Sequence, residues 1–383
     1  MSDFIQDEIF IVFGEDYDRH PHALEHVMRP LFEKNEIIWV ETIGLRSPKL
    51  SFYDVKRIIE KLKTWFRPSN TSKISKPLPE KFYIVSPFMI PFNQFALIRK
   101  FNQYSVEKAV SKELELLSKK APILITSVPN ACDYIGHFNE KFKLYYCVDE
   151  FSLWPGLDLK LVKKLEDELL ARVDRVVATS DALAVSKTKK NFETPVIGHG
   201  VDFNHFSIGP KAERHAHLNI CSFGLIDERL DQELIHYLAA THPQATFHFI
   251  GPVVCDIEKL KMMSNIVFYG RKNYIDLPEL IKPMDIFLLP YIKSELTRNI
   301  NPLKLKEYLA TGRPVLATGI AEVIKLRDYL FVIESKEQAK DLIAKIELNQ
   351  VEFSSAKVID YIQENETWAS KTRLLCQLIK ENI

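Results

Sequence analysis

The chain has 383 residues, 46% hydrophobic and 27% charged, the proportions of a folded globular protein of about two domains. Its 51 basic and 51 acidic residues cancel, which argues against a surface built for nucleic acid. Five cysteines without a C-x-x-C pair predict a reducing compartment and no structural zinc; the lack of a long apolar run, and of a basic start and apolar core in MSDFIQDEIF, predicts a cytosolic protein without a transmembrane helix or signal peptide.

Six short apolar runs mark the first half: Ile9–Phe13, Ile37–Glu41, Phe82–Ser86, Ile123–Thr126, Leu144–Val148 and Arg175–Thr179. They are unbroken rather than alternating, as parallel strands buried on both faces should be. Between the first two, Leu24, Val27, Met28, Leu31 and Phe32 share one helical face, and Pro30 within it predicts a kink. Arg46–Lys100 differs from its surroundings. It holds twelve basic residues against three acidic, interleaved with Phe52, Tyr53, Trp65, Phe66, Phe88, Phe92 and Phe95. Cations beside exposed aromatics suit an anionic membrane surface, which is the partner predicted for this segment.

Ser207–His217, SIGPKAERHAH, is polar, contains Gly and Pro, and has no apolar period. It is the expected linker between a first domain, 1–206, and a second, 218–357. Strand candidates resume at Asn219–Phe223, Thr246–Ile250, Ile266–Tyr269, Asp285–Pro290, Val315–Thr318 and Leu330–Ile333. A last helix, about 358–383, carries Trp368, Leu374, Leu375 and Leu378 and is expected to pack back on the first domain. Strand–helix alternation in two series predicts an α/β protein: two Rossmann-like parallel-sheet domains facing a cleft, with ligands beyond the carboxyl ends of the strands.

Those ends hold the candidate chemistry. Asp149 and Glu150 follow the run Leu144–Val148, where a carboxylate could take a proton from a hydroxyl or simply cap a turn. In SFGLIDERLD, Ser222–Asp231, Gly224 opens a loop, Asp227 or Glu228 can cap the next helix, and Arg229 falls in its first turn; a salt bridge to Asp227 or Asp231 is the plainer role for Arg229. In NINPLKLKEYLATG, Asn299–Gly312, Asn301 suits an N-cap, Pro302 the first helical position, and Gly312 the left-handed stop. Lys304 then opposes the helix dipole unless an anion sits at the helix start, held by Lys304 and the free backbone N–H groups of the first turn, Leu303 among them. Two such cations on one sheet edge suit a diphosphate.

These stretches, with TSDALAVSKTKK…HGVDFNHF, GPV and NPLKLKEYLATGRPVLAT, resemble bacterial GT-B glycosyltransferases of the family-four, "group one" type used in polysaccharide assembly. YYCVDEFSLWPG, Tyr145–Gly156, and FGEDYDRHP, Phe13–Pro21, resemble one subset. The resemblance spans nearly the whole chain. It implies that the second domain binds a nucleotide-diphosphate sugar, that the first binds a saccharide or polyprenyl-linked acceptor, and that neither metal nor further cofactor is needed.

Retaining members of the group usually carry Glu-x7-Glu; here the second position is Glu307 and the first is Asn299. Glu307 is the expected ribose ligand, with Thr297, Asn299 or Asn301 left to meet the sugar. On the acceptor side the expected residues are Gly14, Glu15, Asp16, Arg19 and His20, with Gly14 letting the backbone turn beside a ligand, together with a cleft-lining or structural His199. Asp149 is the favoured base, and Arg229 and Lys304 the charge stabilisers. The expected activity is sugar transfer to a surface-polysaccharide acceptor by a cytoplasmic, peripherally membrane-bound enzyme. Alternatives are a nucleotide-sugar epimerase, a DNA-modifying glucosyltransferase or an inactive sugar-binding module.

Overall fold

The computed structural model describes residues 4–17, 22–42, 78–117, 119–154, 156–188, 193–209 and 217–383. Arg19, His20, the greater part of Arg46–Lys100 and residues 210–216 of the expected linker lie outside this set. The chain divides into one unit formed by Met1–Gly198 with Lys371–Ile383, and another formed by His199–Ser370.

In the first unit six strands form one parallel sheet: β1 (Ile9–Gly14), β2 (Glu36–Glu41), β3 (Phe82–Val85), β4 (Ile123–Thr126), β5 (Phe142–Cys147) and β6 (Arg175–Ala178), in the order β3-β2-β1-β4-β5-β6. In the second, β7 (Asn219–Phe223), β8 (Thr246–Ile250), β9 (Ile266–Gly270), β10 (Ile286–Leu289), β11 (Val315–Thr318) and β12 (Phe331–Ile333) run β12-β11-β10-β7-β8-β9, which is the same winding. All twelve predicted runs are strands. Each sheet reverses its order once, between β1 and β4 and between β7 and β10, and such switch points are where open α/β sheets bind ligands.

Burial accounts for the elements. Ile9–Phe13 and Val315–Ala317 are inaccessible to solvent, so their side chains pack against helices above and below the sheet. The helix Ala23–Met28 gives way to a 3-10 turn at Arg29–Leu31, because Pro30 lacks the N–H that would continue it. All five residues of its predicted face are buried.

The units meet in sequence at Gly198/His199, ahead of the expected linker. The helix Phe203–Phe206 belongs to the second unit, where Phe206 is fully buried and stacks on Phe223 at 5.7 Å. Its aromatics, not the polar stretch after it, decide the boundary. The C-terminal region forms two helices, Ser355–Asn365 and Trp368–Lys380. From Lys371 onward the second belongs to the first unit, where Leu375, Cys376 and Ile379 are buried and the Thr372 hydroxyl donates to the Val27 carbonyl at 2.7 Å.

Candidate active site

The second switch point assembles from three segments. β7 ends at Phe223 and turns at Gly224, whose φ of +105° only glycine adopts without strain. A Cβ there would stand 3.2 Å from Lys304 Cε, so the missing side chain also leaves room for the lysine. Beyond the turn, the segment around Arg229 is tied to the chain leaving β10. Asp231 N–H donates to Pro290 O at 2.8 Å, Ile292 N–H to Arg229 O at 2.8 Å, and Leu230 bridges Tyr291. Third comes the helix Leu303–Ala310, which Gly312 stops with φ +68°.

Lys304 and Arg229 converge on one ring. Lys304 Nζ lies 5.2 Å and Arg229 Cζ 5.4 Å from the centroid of Tyr291. Lys304 Nζ–H also donates to Leu225 O at 3.3 Å. Asp227 grips Arg229 from the side: Nε–H donates to Oδ1 at 2.9 Å and Nη2–H to Oδ2 at 2.6 Å. The expected salt bridge therefore forms, and it aims the guanidinium at Tyr291.

Arg229 is not in a helical first turn. Its helix runs Gln232–Thr241, with Asp231 as the N-cap accepting from Leu234 N–H, because Asp227 is already committed to Arg229. Lys304 does lie in a first turn. There the N-cap is Pro302, not Asn301, and no side chain caps the helix, so its start offers backbone donors and positive dipole.

The side chains of three expected sugar ligands have other work. Asn301 is buried, donating to Glu322 Oε2 at 3.3 Å and accepting from Lys306 Nζ at 2.9 Å. The Thr297 hydroxyl closes a capping box with Ser294 and donates to Ile292 O at 2.7 Å. Asn299 Nδ2–H donates to its own helix, at Glu295 O, 2.8 Å away. Glu307 stands one turn along from Lys304, and burial pushes its carboxyl up to about 7 while Lys304 pulls the other way.

In the first unit Asp149 and Glu150 follow β5 as predicted, but Glu150 is engaged. It accepts from Lys187 Nζ at 2.7 Å and Ser152 Oγ at 2.6 Å. Its carboxyl is held below the ordinary value by these bonds, against the opposing effect of burial. The same lysine reaches buried Glu166 at 2.7 Å, which also accepts from the Tyr145 hydroxyl at 2.8 Å. Glu150 is thus a strut, which removes it as a base; Asp149 accepts a weak bond from Cys147 Sγ on its backbone carbonyl, at 3.5 Å. Gly14 also has a structural reason to be glycine. A Cβ would sit 2.9 Å from Trp39 Cζ2, and the indole N–H donates to Glu15 O at 3.0 Å. The lack of a side chain serves the packing of Trp39; Glu15 and Asp16 come next, at the carboxyl end of β1. His199 is buried in the second unit, its ring 6.2 Å from that of Trp368.

Among the described residues Cys132, Asp133 and Glu168 lie close enough to share an ion. The Arg99 guanidinium already occupies their centre, bonded to both carboxylates and 3.6 Å from the thiol. Arg99, counted among the membrane-facing cations, is committed here instead.

Residues 229–348 match the family described as glycosyl transferases group 1. TuaH of Bacillus subtilis (strain 168), named for a glycosyltransferase of teichuronic acid biosynthesis, is 27% identical over 203 residues. That match spans 49% of this chain and 51%, about half, of TuaH. Two solved structures match nearly end to end. Anabaena Alr3699/HepE in complex with UDP-glucose has a TM-score of 0.66 at 11% identity over 97% of this chain and 99% of that one. Sucrose-phosphate synthase from Thermosynechococcus elongatus has 0.69 at 13% identity over 98% of each.

This chain has the GT-B fold, and the part of it from Arg229 to Leu348 is similar to the group 1 glycosyl transferases. The profile match begins at Arg229 and encloses Tyr291, Lys304 and Glu307. Sequence reasoning missed Tyr291, the platform between the two cations, whereas the salt bridge from Arg229 to Asp227 was among its readings. A tyrosine next to the proline just past β10, at a switch point, was the available signal.

Proposed function

We propose that this GT-B protein transfers a sugar from a nucleoside-diphosphate sugar to a saccharide or polyprenyl-linked saccharide acceptor in surface-polysaccharide assembly. The convergence of Lys304 and Arg229 on Tyr291, at the uncapped start of a helix and on the switch point of the second sheet, carries this reading. A diphosphate is the ligand whose charge fits two cations and free backbone donors together. The match to TuaH supports the polysaccharide setting.

In the reaction the bond from the anomeric carbon to the diphosphate oxygen breaks, and the acceptor hydroxyl oxygen bonds to that carbon. The hydroxyl proton passes to Asp149, and the nucleoside diphosphate leaves carrying the electron pair. Lys304, Arg229 and the helix start stabilise the charge that collects on it, so no metal is required at this step. Glu307 accepts from the ribose hydroxyls.

Among the described residues no helix is long and apolar enough to cross a membrane. The lipid-linked acceptor is met at an anionic membrane surface, to which exposed Phe95, Leu97, Lys100, Phe101 and Tyr104 of the first unit contribute. The test is release of nucleoside diphosphate from a panel of nucleotide sugars, with and without polyprenyl-diphosphate-linked sugar. Release only with acceptor supports transfer; release without any acceptor, with the sugar epimerised, replaces it with epimerisation.

A further inference from the structure

Phe223, the last residue of β7, breaks the pattern of its sheet. On one side β7 pairs with β8 along its full length, Asn219 to Phe223. On the other it pairs with β10 only at Ile220 and Cys221. Past that point a side chain takes over the ladder. The buried Tyr308 hydroxyl donates to Phe223 O at 2.7 Å and accepts from Phe223 N–H at 2.9 Å. Its ring meets Phe223 edge-on at 4.6 Å and stacks on Phe287 of β10 at 5.1 Å. One hydroxyl therefore satisfies both backbone groups that the parting of β7 and β10 would leave buried and unpaired.

Tyr308 stands four residues after Lys304 on the same helix, so both side chains point to one face. The pair grips consecutive parts of one turn: Tyr308 holds the backbone of Phe223, Lys304 donates to the carbonyl of Leu225, and Gly224 lies between. A ring in the core needs no hydroxyl for packing, and a hydroxyl spent on two main-chain groups at a switch point fixes geometry.

We propose that Tyr308 is the positioning residue of the diphosphate site. Its hydroxyl wedges β7 from β10 and locks the Gly224 turn against the Lys304 helix, holding Lys304 and the backbone donors where the phosphates arrive. This rests on the donor-binding function proposed above. Tyr308 touches no substrate; it acts through Gly224 and Lys304.

Tyr308→Phe keeps the ring and removes the hydroxyl. Affinities of UDP, GDP and ADP, and of the matching nucleosides, are measured by calorimetry for wild type, Tyr308→Phe, Lys304→Ala and the double variant. Expected is a loss of about tenfold or more for the preferred diphosphate in Tyr308→Phe, with nucleoside affinity unchanged. With Lys304 already absent, the hydroxyl's effect should shrink severalfold, since coupled groups do not add. A lower melting temperature with unchanged diphosphate affinity, or strictly additive effects, would overturn the proposal. If Tyr308→Phe does not fold, wild-type amide exchange decides: saturating diphosphate should slow exchange of the Phe223 to Leu225 amides by tenfold or more, and unchanged exchange overturns the wedge. A wild type that binds none of the three diphosphates defeats the donor-site function itself, a result separate from any outcome of the variants.

Discussion

Replacing Lys304 by alanine separates a catalytic cation from an ordinary surface lysine, because stability should hold in either case while activity should fall only in the first. Lys304 lies in the first turn of the helix Leu303–Ala310, where positive charge opposes the dipole by about 0.3–1 kcal/mol. Alanine is also the better helix former. Loss of the bond to Leu225 O at 3.3 Å offsets part of this gain, so the variant should be as stable as wild type or slightly more so. Activity should move the other way. A charge about 4 Å from the leaving diphosphate is worth about 4 kcal/mol in an effective dielectric of about 20. Lys304 is only partly buried, and water together with Arg229 would recover some of that. About 2.7 kcal/mol remains, a hundredfold in kcat/KM and the usual size for losing one such stabiliser. Because charge on the diphosphate grows as the glycosidic bond breaks, the loss should appear in kcat at saturating donor. Initial rates across donor concentrations, with denaturant unfolding alongside, test this. If Lys304→Ala raised KM alone and left kcat intact, Lys304 would be a ground-state binder and the charge argument would fail.

Other perturbations test neighbouring steps. Asp149→Asn should lower turnover at least a hundredfold with nucleotide-sugar affinity unchanged by calorimetry; near-normal turnover would make Asp149 a turn residue. Lys187→Met should cost about 3–5 kcal/mol by chemical denaturation, because Glu166 and Glu150 would lose the cation they share; a change under about 1 kcal/mol would refute that dependence. Glu307, raised to about 7, should make nucleotide-sugar affinity climb roughly tenfold from pH 6 to pH 8, as the carboxylate proposed to accept from ribose forms. The fold responds with the opposite sign. A carboxyl raised above its unfolded value binds more protons when native, so its contribution to stability is lost as pH rises from about 4.5 through about 7. Glu307→Gln should flatten both slopes, and a persisting affinity slope would move the titration elsewhere.

Strands were legible because parallel sheets bury both faces, so each strand appears as an unbroken apolar run bounded by turn residues. The Lys304 helix was legible from Pro302 before it and Gly312 after it. The features that stayed hidden depend on partners distant in the chain. Glu150 looks like a free carboxylate until Lys187, 37 residues on, is seen to hold it. Asn301 looks like a cap until Lys306 and Glu322 claim it. The sequence alone puts Arg229 in a helical first turn because several acids nearby could cap, and only packing selects Asp231. The polar stretch points to a later boundary than the structure has for a similar reason: in HGVDFNHF nothing local shows that Phe206 stacks on Phe223 of the second sheet and so belongs to the second unit.

The two sheets share one winding, so strand order cannot explain why, among the described residues, a pair of cations converges on one ring at the second switch point. The difference lies at the carboxyl end of the central strand. β1 ends in Gly14 and β7 in Phe223-Gly224. At Gly14 the space a side chain would need is filled by the Trp39 indole from β2, which also bonds the next carbonyl. The room it leaves goes to an aromatic core where Trp39 meets Phe32, Tyr17 and Phe82. At Gly224 the neighbour is a flexible lysine stem whose charged end reaches the Tyr291 ring, and the backbone has turned to a positive φ. One glycine admits a rigid apolar plate, which consolidates a domain; the other admits a mobile cation, which can meet an anion. Exchanging these neighbours would exchange the properties: an aromatic in place of Lys304 should pack on Gly224, stabilise the second unit and end nucleotide binding. Lys304→Trp, judged by melting temperature and diphosphate affinity together, is the direct trial. A variant that still bound diphosphate with near-native affinity would show that the helix start and Arg229 suffice, and that Gly224 is glycine for its φ alone.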